Sequence, residues 1–399
     1  MESSMLEKPS DTLQTGTHRN FLLERVVHGR PAAEVIVQEA EKLGKSRIFI
    51  TTSGSLSADD ALPREIGRAL GEKFVGLYSG ITAHTPRQCV IEGAAAARAA
   101  QADLLVAVGG GSVIDGTKAM LLCLWHDLKD PKEMDAHRGE MSQDPSVWPA
   151  NAASRIRMLA VPTMFSAAEF TWFAGVSEPA HHVKEPFAHP LLVPQVVVLD
   201  PVATLATPIP LLLATGMKAV DHAVERLCGL DPPPLADAAA SSALKLLYTS
   251  LPQLGGPNDN LKMRMDCQFG MWLSIFGAGS GSPAGASHAI GHVIGGYGVP
   301  HGHTTGICLP SVLRWNYDAN AARQAHTGRV IGVTGDKLAD AVRAFATKLG
   351  VPTRLRDAGI KRDQLDDIAL KSLHDGPMKT NPKPVTCTAQ VMEILEMAW

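Results

Sequence analysis

The feature that most constrains the fold is an alternation of β-rich and helical stretches over the first 200 residues. Short β-rich runs lie at 47–52, 74–78 and 104–108, and an Ala-rich helical stretch at 86–102 separates the last two. Strands that alternate with helices indicate βαβ units and a mostly parallel sheet. After Asp200-Pro201 the pattern becomes helical, with helices predicted over 211–228, 236–250, 261–278, 284–294 and 338–349. We predict an α/β domain over 20–200 and an all-α domain over 201–399.

Composition narrows the class of protein further. A chain of 399 residues suits two domains, and 45% hydrophobic with 19% charged residues is ordinary for a soluble protein. The formal net charge of -3 provides no basic field for nucleic acid. Residues 1–19 have no apolar periodicity and are predicted to be a flexible extension without a secretory signal. No apolar run is long enough for a membrane span, and the six cysteines show no CxxC spacing, so we expect a cytoplasmic protein.

A glycine turn follows the strand at 104–108. In Gly109-Gly110-Gly111-Ser112 the strand passes through three glycines into a helix that carries Asp115 and Lys118. Glycines let backbone N–H groups approach a pyrophosphate, and a helix N-terminus favours negative charge. A tight strand-to-helix turn without a ligand would need the same glycines, and the usual GxGxxG fingerprint is absent. The turn alone leaves both interpretations open.

Several motifs in the same order resemble the iron-containing (group III) alcohol dehydrogenase superfamily. They are Gly-Gly-Gly-Ser-x-x-Asp-x-x-Lys at 109–118, Val161-Pro-Thr163 with Ser166, Asp200-Pro201, His222-Ala-Val-Glu225 and Pro300-His301-Gly302. The resemblance extends from about residue 20 to the C-terminus. It implies a dehydroquinate synthase-like architecture, a dinucleotide-binding α/β domain and an NAD(P)-dependent oxidoreductase.

The resemblance also implies which residues bind the cofactor. They are Gly109, Gly110, Gly111, Ser112, Asp115, Lys118, Thr52, Ser53, Thr163 and Ser166. In that family an Asp at the end of the second strand selects NADH, but Thr52 and Ser53 stand in the corresponding stretch here. Neither side chain would repel a 2′-phosphate. The predicted cofactor is therefore NADH or NADPH, without a preference.

The family's metal site is altered in this chain. Metal-dependent members carry an Asp four residues before the first histidine ligand, and Lys218 occupies that position before His222. An ammonium group cannot coordinate a divalent cation and repels it when charged. Three histidines, His222, His288 and His301, could still hold zinc or iron if Lys218 moves away. We predict no metal, and we interpret Asp221 as the i+3 partner of Lys218 or as a surface acid.

Loss of the metal-binding Asp resembles the maleylacetate reductase branch of the superfamily. His84-Thr85-Pro86, the segment from Thr163 to Glu169 and the C-terminal tail also resemble that branch, although its usual residue at the Lys218 position is a neutral amide. The resemblance implies a homodimer that reduces a small carboxylated enone or ketone during breakdown of aromatic compounds. The catalytic residues predicted from it are Lys218, His222, His288, His301, His292 and His84.

These residues are assigned roles in the predicted reaction. Lys218 and the histidines would bind the carboxylate and stabilise enolate charge, and His222 or His288 would deliver the proton. His84 would contact the distal carboxylate. Two alternatives stay open: a metal-dependent alcohol dehydrogenase or aldehyde reductase that uses the three histidines, and a non-redox member that retains the dinucleotide pocket.

Overall fold

The first half of the chain forms a parallel β-sheet in a computed structural model, which describes residue 18 and residues 22–138, 156–178, 183–280 and 282–399. Apart from His18, the predicted N-terminal extension lies outside the described residues. The strands are β1 (Arg25–His28), β2 (Ile48–Ser53), β3 (Phe74–Ile81), β4 (Leu104–Gly109), β5 (Arg157–Pro162), β6 (Phe173–Glu178), β7 (Val183–Ala188) and β8 (Val196–Leu199). Six of them pair in parallel in the order β1-β8-β5-β4-β2-β3, and β6 and β7 form an antiparallel hairpin.

Helices cover the sheet, which explains the continuous apolar runs of its central strands. They are α1 (Ala32–Lys42), α2 (Leu62–Leu70), α3 (Arg87–Ala99) and α4 (Gly111–Trp125). Every residue of β4 and of β8 is buried, as expected for a parallel sheet with both faces covered. The predicted fold class is confirmed, because the sheet is parallel and the second half of the chain is helical.

The strand order reverses between β2 and β4. The chain passes from β2 outward to β3, returns to β4 on the other side of β2, and then continues to β5. In open parallel sheets, ligands bind at the carboxyl ends of the strands where the order reverses. Ser53 at the end of β2 and Gly109 at the end of β4 lie at this point.

The second half of the described chain is built around a buried helix, α5 (Ile209–Leu227). The helices after it are α6 (Pro234–Ser250), α7 (Leu261–Phe276), α8 (Ala286–Gly296), α9 (His301–Ile331), α10 (Leu338–Lys348), α11 (Leu365–His374) and α12 (Thr388–Ala398). Helix α5 packs against α6, α7 and α9, and its polar residues from Lys218 to Arg226 are buried with its apolar ones. Buried charges need partners, so this helix is the place to look for a polar site. None of the described helices has the length and apolarity that a bilayer crossing requires.

Asp200 connects the sheet to the helices that follow it. Its side chain accepts hydrogen bonds from the backbone N–H groups of Ala32 (2.8 Å) and Val202 (2.9 Å). The last strand ends at Leu199 and helix α5 begins at Ile209. The predicted division into domains at residue 200 stays a prediction.

Gly302 allows α9 to approach α5 closely. A Cβ atom at residue 302 would lie 2.7–2.9 Å from backbone atoms and the Cβ atom of Ala214 in α5. We expect Gly302→Ala to lower the unfolding free energy by about 1–3 kcal/mol, because backbone must move to relieve the overlap. The measurement is urea unfolding, with Gly295→Ala in α8 as the control, since a Cβ there meets nothing within 4 Å. Equal stability of the two variants would contradict the close approach.

Candidate active site

Two glycines of the turn after β4 are needed because side chains from the loop after β5 lie against them. A Cβ atom on Gly110 would lie 2.6 Å from the Met164 sulfur, and one on Gly111 would lie 3.0 Å from the Ser166 Oγ. Helix α4 begins at Gly111, so its first N–H groups, which have no partners within the helix, lie beside this loop. The turn and the loop after β5 therefore line the same site.

Unpartnered hydroxyl groups indicate that this site is built for a polar ligand. The Oγ1 atom of Thr163 and the Oγ atom of Ser166 are buried and have no hydrogen-bond partner in the part of the chain that the structure describes, although Thr163 donates its backbone N–H to the carbonyl of Gly109 (3.1 Å). Native proteins rarely leave buried polar atoms unsatisfied. The two hydroxyls and the helix N-terminus fit a dinucleotide pyrophosphate at the predicted place.

Three other residues predicted to bind the cofactor are engaged within the protein. Thr52 is buried and donates its hydroxyl to the carbonyl of Val108 (2.8 Å). Asp115 accepts the backbone N–H of Gly175 (3.1 Å). The ammonium group of Lys118 is fully buried and donates to four oxygen atoms of the segment from Ala168 to Phe173, at 2.5–3.0 Å. These contacts position the loop beside the turn, and cofactor contacts of the three residues stay predictions. The hydroxyl of Ser53 pairs with that of Ser55 (2.9 Å).

His84 lies in a strained turn beside the same helix. His84 (φ 63°) and Thr85 (φ 55°) both have left-handed backbone conformations, which are unusual for residues with a side chain and costly for a β-branched one. Thr85 is buried, and its hydroxyl donates to the carbonyl of Ser112 (3.0 Å), whereas His84 is exposed. The turn therefore holds His84 near the start of α4, and its contact with a substrate stays a prediction.

A hydrogen bond connects the loop after β5 to helix α5. The backbone N–H of Phe165 donates to the hydroxyl of Thr215 (3.2 Å), and Lys218 stands three residues further along that helix. Residues three apart share a helical face. The glycine turn and Lys218 are therefore parts of one region of the molecule.

Lys218 forms a buried ion pair. Its side chain is 4% exposed, and Nζ lies 2.8 Å from the Oδ2 atom of Asp221, which is fully buried. Thr305 in α9 also donates to that oxygen (3.1 Å). Burial favours the neutral acid, but the Lys218 ammonium and the histidines beside it outweigh burial and hold the pKa of Asp221 below its usual value. The predicted i+3 pairing is confirmed, and the interpretation of Asp221 as a surface acid is wrong.

His288 is held by Glu225. The two side chains are buried, and Nδ1 of His288 lies 2.5 Å from Oε2 of Glu225 and 3.4 Å from Oδ2 of Asp221. Burial, followed by the Asp221 charge, raises the pKa of Glu225 to about 8. Burial, followed by the Lys218 charge, holds the pKa of His288 well below its usual value. At neutral pH the acid and the imidazole are therefore both largely uncharged.

Four of the five histidines predicted to be catalytic form a row from the interior to the surface: His222, His288, His292 and His301. The ring centroids of His222 and His288 are 5.0 Å apart, those of His288 and His292 are 6.2 Å apart, and those of His292 and His301 are 6.0 Å apart. His222 is buried, its Nδ1 atom has no partner within the described ranges, and burial holds its pKa well below the usual value. His292 is exposed, with Nδ1 3.1 Å from the Oδ1 atom of Asp375, and His301 is also exposed.

One cluster among the described residues could hold a metal ion, and the Lys218 ammonium lies beside it. Among the described residues, the three side chains whose potential ligand atoms lie within 4.8 Å of one another are Asp221, Glu225 and His288, and His301 belongs to no such group. Asp221 is already paired with the Lys218 ammonium, beside which a divalent cation would lie. The Glu225 oxygens accept backbone N–H groups of Gly285 and Ser287, each at 2.9 Å.

Glu169, close to Lys118 and Asp115, is a buried acid that the sequence did not predict as a site residue. It is fully buried, neither oxygen has a partner among the described residues, and burial raises its pKa from 4.5 to about 7. The folded protein therefore binds this proton more tightly than the unfolded chain. The protonated Glu169 side chain raises the unfolding free energy, and this contribution is complete below about pH 4.5. About 3 kcal/mol of it is lost as the pH rises through 7.

We therefore expect the variant Glu169→Gln to lose this part of the pH dependence. Unfolding free energies from denaturant titrations between pH 4.5 and 8 measure it, with the exposed Glu65→Gln as the matched control. A variant that keeps the wild-type decline in stability would show that Glu169 does not titrate as described.

Comparisons with known proteins agree with this geometry. Residues 24–201 match the family model of iron-containing alcohol dehydrogenase, and residues 212–399 match the C-terminal model of the Fe-containing alcohol dehydrogenase family. The dehydrogenase ALT3 of Alternaria alternata is 32% identical over an alignment of 391 residues. The alignment covers 89% of this chain and 99% of that protein. The chain belongs to the iron-containing alcohol dehydrogenase family.

One further relative supports the maleylacetate reductase-like branch, and a solved structure shows the shared fold. The maleylacetate reductase of Sphingobium indicum is 28% identical over 91% of this chain and 92% of its own length. The crystal structure of maleylacetate reductase from Agrobacterium tumefaciens has a TM-score of 0.80, covers 97% of this chain and 99% of that chain, and is 24% identical, which shows the shared fold. The predictions of family and branch are confirmed, and the protein is an NAD(P)-dependent oxidoreductase.

Glu225 and Thr305 are, besides Glu169, site residues that sequence reasoning missed. Helical spacing could have indicated Glu225, because Lys218, Asp221 and Glu225 stand at i, i+3 and i+7 on one face of α5. The prediction followed the four-residue spacing from Lys218 to His222 instead. No sequence signal indicates Thr305, because it reaches Asp221 from another helix.

Proposed function

We propose that the protein reduces a small carboxylated enone or ketone of the maleylacetate type with NADH or NADPH, and that it does so without a metal. The observation that carries the proposal is the Lys218 ammonium, buried and paired with Asp221 where metal-dependent relatives carry an acidic ligand. The buried ammonium group supplies positive charge, as a metal ion would, but it cannot coordinate a ligand. The names of two maleylacetate reductase relatives support the substrate class.

The cofactor, when bound, supplies the hydride. The glycine turn, the start of α4 and the hydroxyls of Thr163 and Ser166 would hold its phosphates and orient it. Thr215 contacts the same loop, so the cofactor site and Lys218 would keep a fixed relative position. A fixed geometry of this kind is the main way in which an enzyme promotes transfer between two bound molecules.

Lys218 would bind the charge that the substrate carries and develops. A carboxylate, or the oxygen of an enolate, gains more from an ammonium group in a buried site than in water. The Oδ1 atom of Asp221, Nδ1 of His222 and the hydroxyl of Ser287 are buried nearby without partners among the described residues. The Ser287 hydroxyl would donate to a bound diacid, whereas the Asp221 carboxylate accepts only and would bind water.

His288 would deliver the proton that the reduction requires. Its imidazole is neutral at neutral pH, and Glu225 binds Nδ1, so the other nitrogen, Nε2, is the one that can donate to a substrate carbon. His292 and His301 are exposed and would line the approach to the buried pair.

A comparison of charged and uncharged substrates tests the proposal. Oxidation of NADH and of NADPH is followed with maleylacetate and with its uncharged diester at equal concentrations. We expect kcat/KM for the diacid to exceed that for the diester by at least about 100-fold, because a buried charge-assisted contact contributes about 3 kcal/mol. Equal rates would contradict binding of a carboxylate by Lys218. Absence of oxidation with every acidic enone would favour a non-redox role of the dinucleotide site.

A further inference from the structure

One side chain connects the two helices that carry the central residues of the site. Glu225 stands on α5 with Lys218 and Asp221, and its carboxyl group reaches the start of α8. Its Oε1 accepts the backbone N–H of Ser287 and its Oε2 that of Gly285, both at 2.9 Å, and Oε2 lies 2.5 Å from Nδ1 of His288. A single group therefore fixes the backbone before His288 and the ring of His288 itself.

These contacts occur at a helix end that needs acceptors. The first N–H groups of an α-helix have no partners within the helix. At the start of α8, Glu225 satisfies Gly285 and Ser287, and the amide oxygen of Asn381 satisfies Ala286 (3.1 Å). Asn381 caps the helix without contacting His288, whereas Glu225 does both.

We infer that Glu225 is a positioning residue for His288, which holds Nδ1 of the imidazole and leaves Nε2 to face the substrate. The inference rests on the proposed function for the role of His288, but the contact itself does not. The 2.5 Å contact occupies Nδ1, so Nε2 is the ring nitrogen left to reach the substrate. Because Glu225 and Lys218 share one helix, the same contact sets the position of the acid relative to the ammonium.

Two substitutions at residue 225 separate positioning from helix capping. The variant Glu225→Gln keeps a hydrogen-bonding group of the same size that can donate to Nδ1, whereas Glu225→Met keeps the length and removes every hydrogen bond. We expect Glu225→Met to lower kcat by about 100-fold with KM changed by less than about threefold, because a misplaced acid affects the chemical step. We expect Glu225→Gln to retain most of the wild-type kcat. Asn381→Ala is the matched capping control, expected to lower stability but to keep kcat.

A measurement without substrate tests the contact directly. Nitrogen-15 NMR of histidine-labelled protein reports the tautomer of His288, whose signals are identified by their absence in His288→Asn. Wild type, Glu225→Gln and Asn381→Ala should share one tautomer with a hydrogen-bonded Nδ1, and Glu225→Met should lose that signature.

The outcomes distinguish this inference from the proposed function. An unchanged His288 signature or an unchanged kcat in Glu225→Met would overturn the positioning role. So would a Glu225→Gln variant that keeps the signature but is as inactive as Glu225→Met. If the NMR signatures follow the expected order while the wild-type protein reduces no acidic enone, the contact stands and the proposed function fails.

Discussion

Replacing Lys218 with Met is expected to abolish most of the activity while the chain still folds. Loss of one preorganised cation from the place where negative charge develops costs about 10²–10³ in kcat. The same substitution leaves Asp221 buried without its counter-charge, which typically lowers the unfolding free energy by about 3–5 kcal/mol. The measurements are kcat/KM for maleylacetate and urea unfolding of the same preparation.

A double variant separates the two effects of this substitution. Lys218→Met combined with Asp221→Asn removes both charges of the pair, so most of the lost stability should return. The activity should stay low, since the cation is still missing. Recovery of activity together with stability would show that Lys218 acts only as a structural partner of Asp221.

Replacing His288 with Asn is expected to have the second largest effect. Removal of a general acid lowers the rate by about 10²–10⁴, and Asn cannot protonate a carbon at the position of the imidazole. The neighbouring His222→Asn is the comparison, because it removes a stacked ring but no proton donor in our proposal. Loss of such a ring contact corresponds to roughly a tenfold effect or less.

The order of these two variants tests the assignment of the proton donor. We expect kcat of His288→Asn to be the lower one, with cofactor binding unchanged in both when it is followed by NADPH fluorescence. A larger loss of kcat in His222→Asn would move the proton donor to His222, which sequence analysis could not distinguish from His288.

Some parts of this structure could be read from the sequence, and others depend on contacts between distant elements. Strand β4 and the glycines after it were predictable, because apolar runs and glycine signals are local. Helix α9 was missed: Pro310 lies within it, and Asn320 interrupts its regular backbone with a φ of -138°. A proline normally ends a helix, and the sequence around Pro310 has little amphipathic pattern. Local signals therefore gave no indication of a 31-residue helix.

The site was predicted in part for the same reason. The pairing of Lys218 with Asp221 follows from helical spacing within α5, and it is confirmed. The contact of Glu225 with His288 joins residues 63 positions apart, and their packing depends on the approach of α5 and α8. Spacing within one helix could suggest that Glu225 faces the site, but it could not identify its partner.

The most direct test of the account is turnover of chelator-treated protein whose metal content is known. The purified protein is treated with a strong chelator, assayed for iron, zinc and other divalent metals, and tested with NADH and NADPH on maleylacetate before and after metal is returned. We predict far less than one metal ion per chain and the same kcat throughout. Loss of turnover on chelation, restored by zinc or iron, would contradict it and assign the chemistry to a metal instead of Lys218.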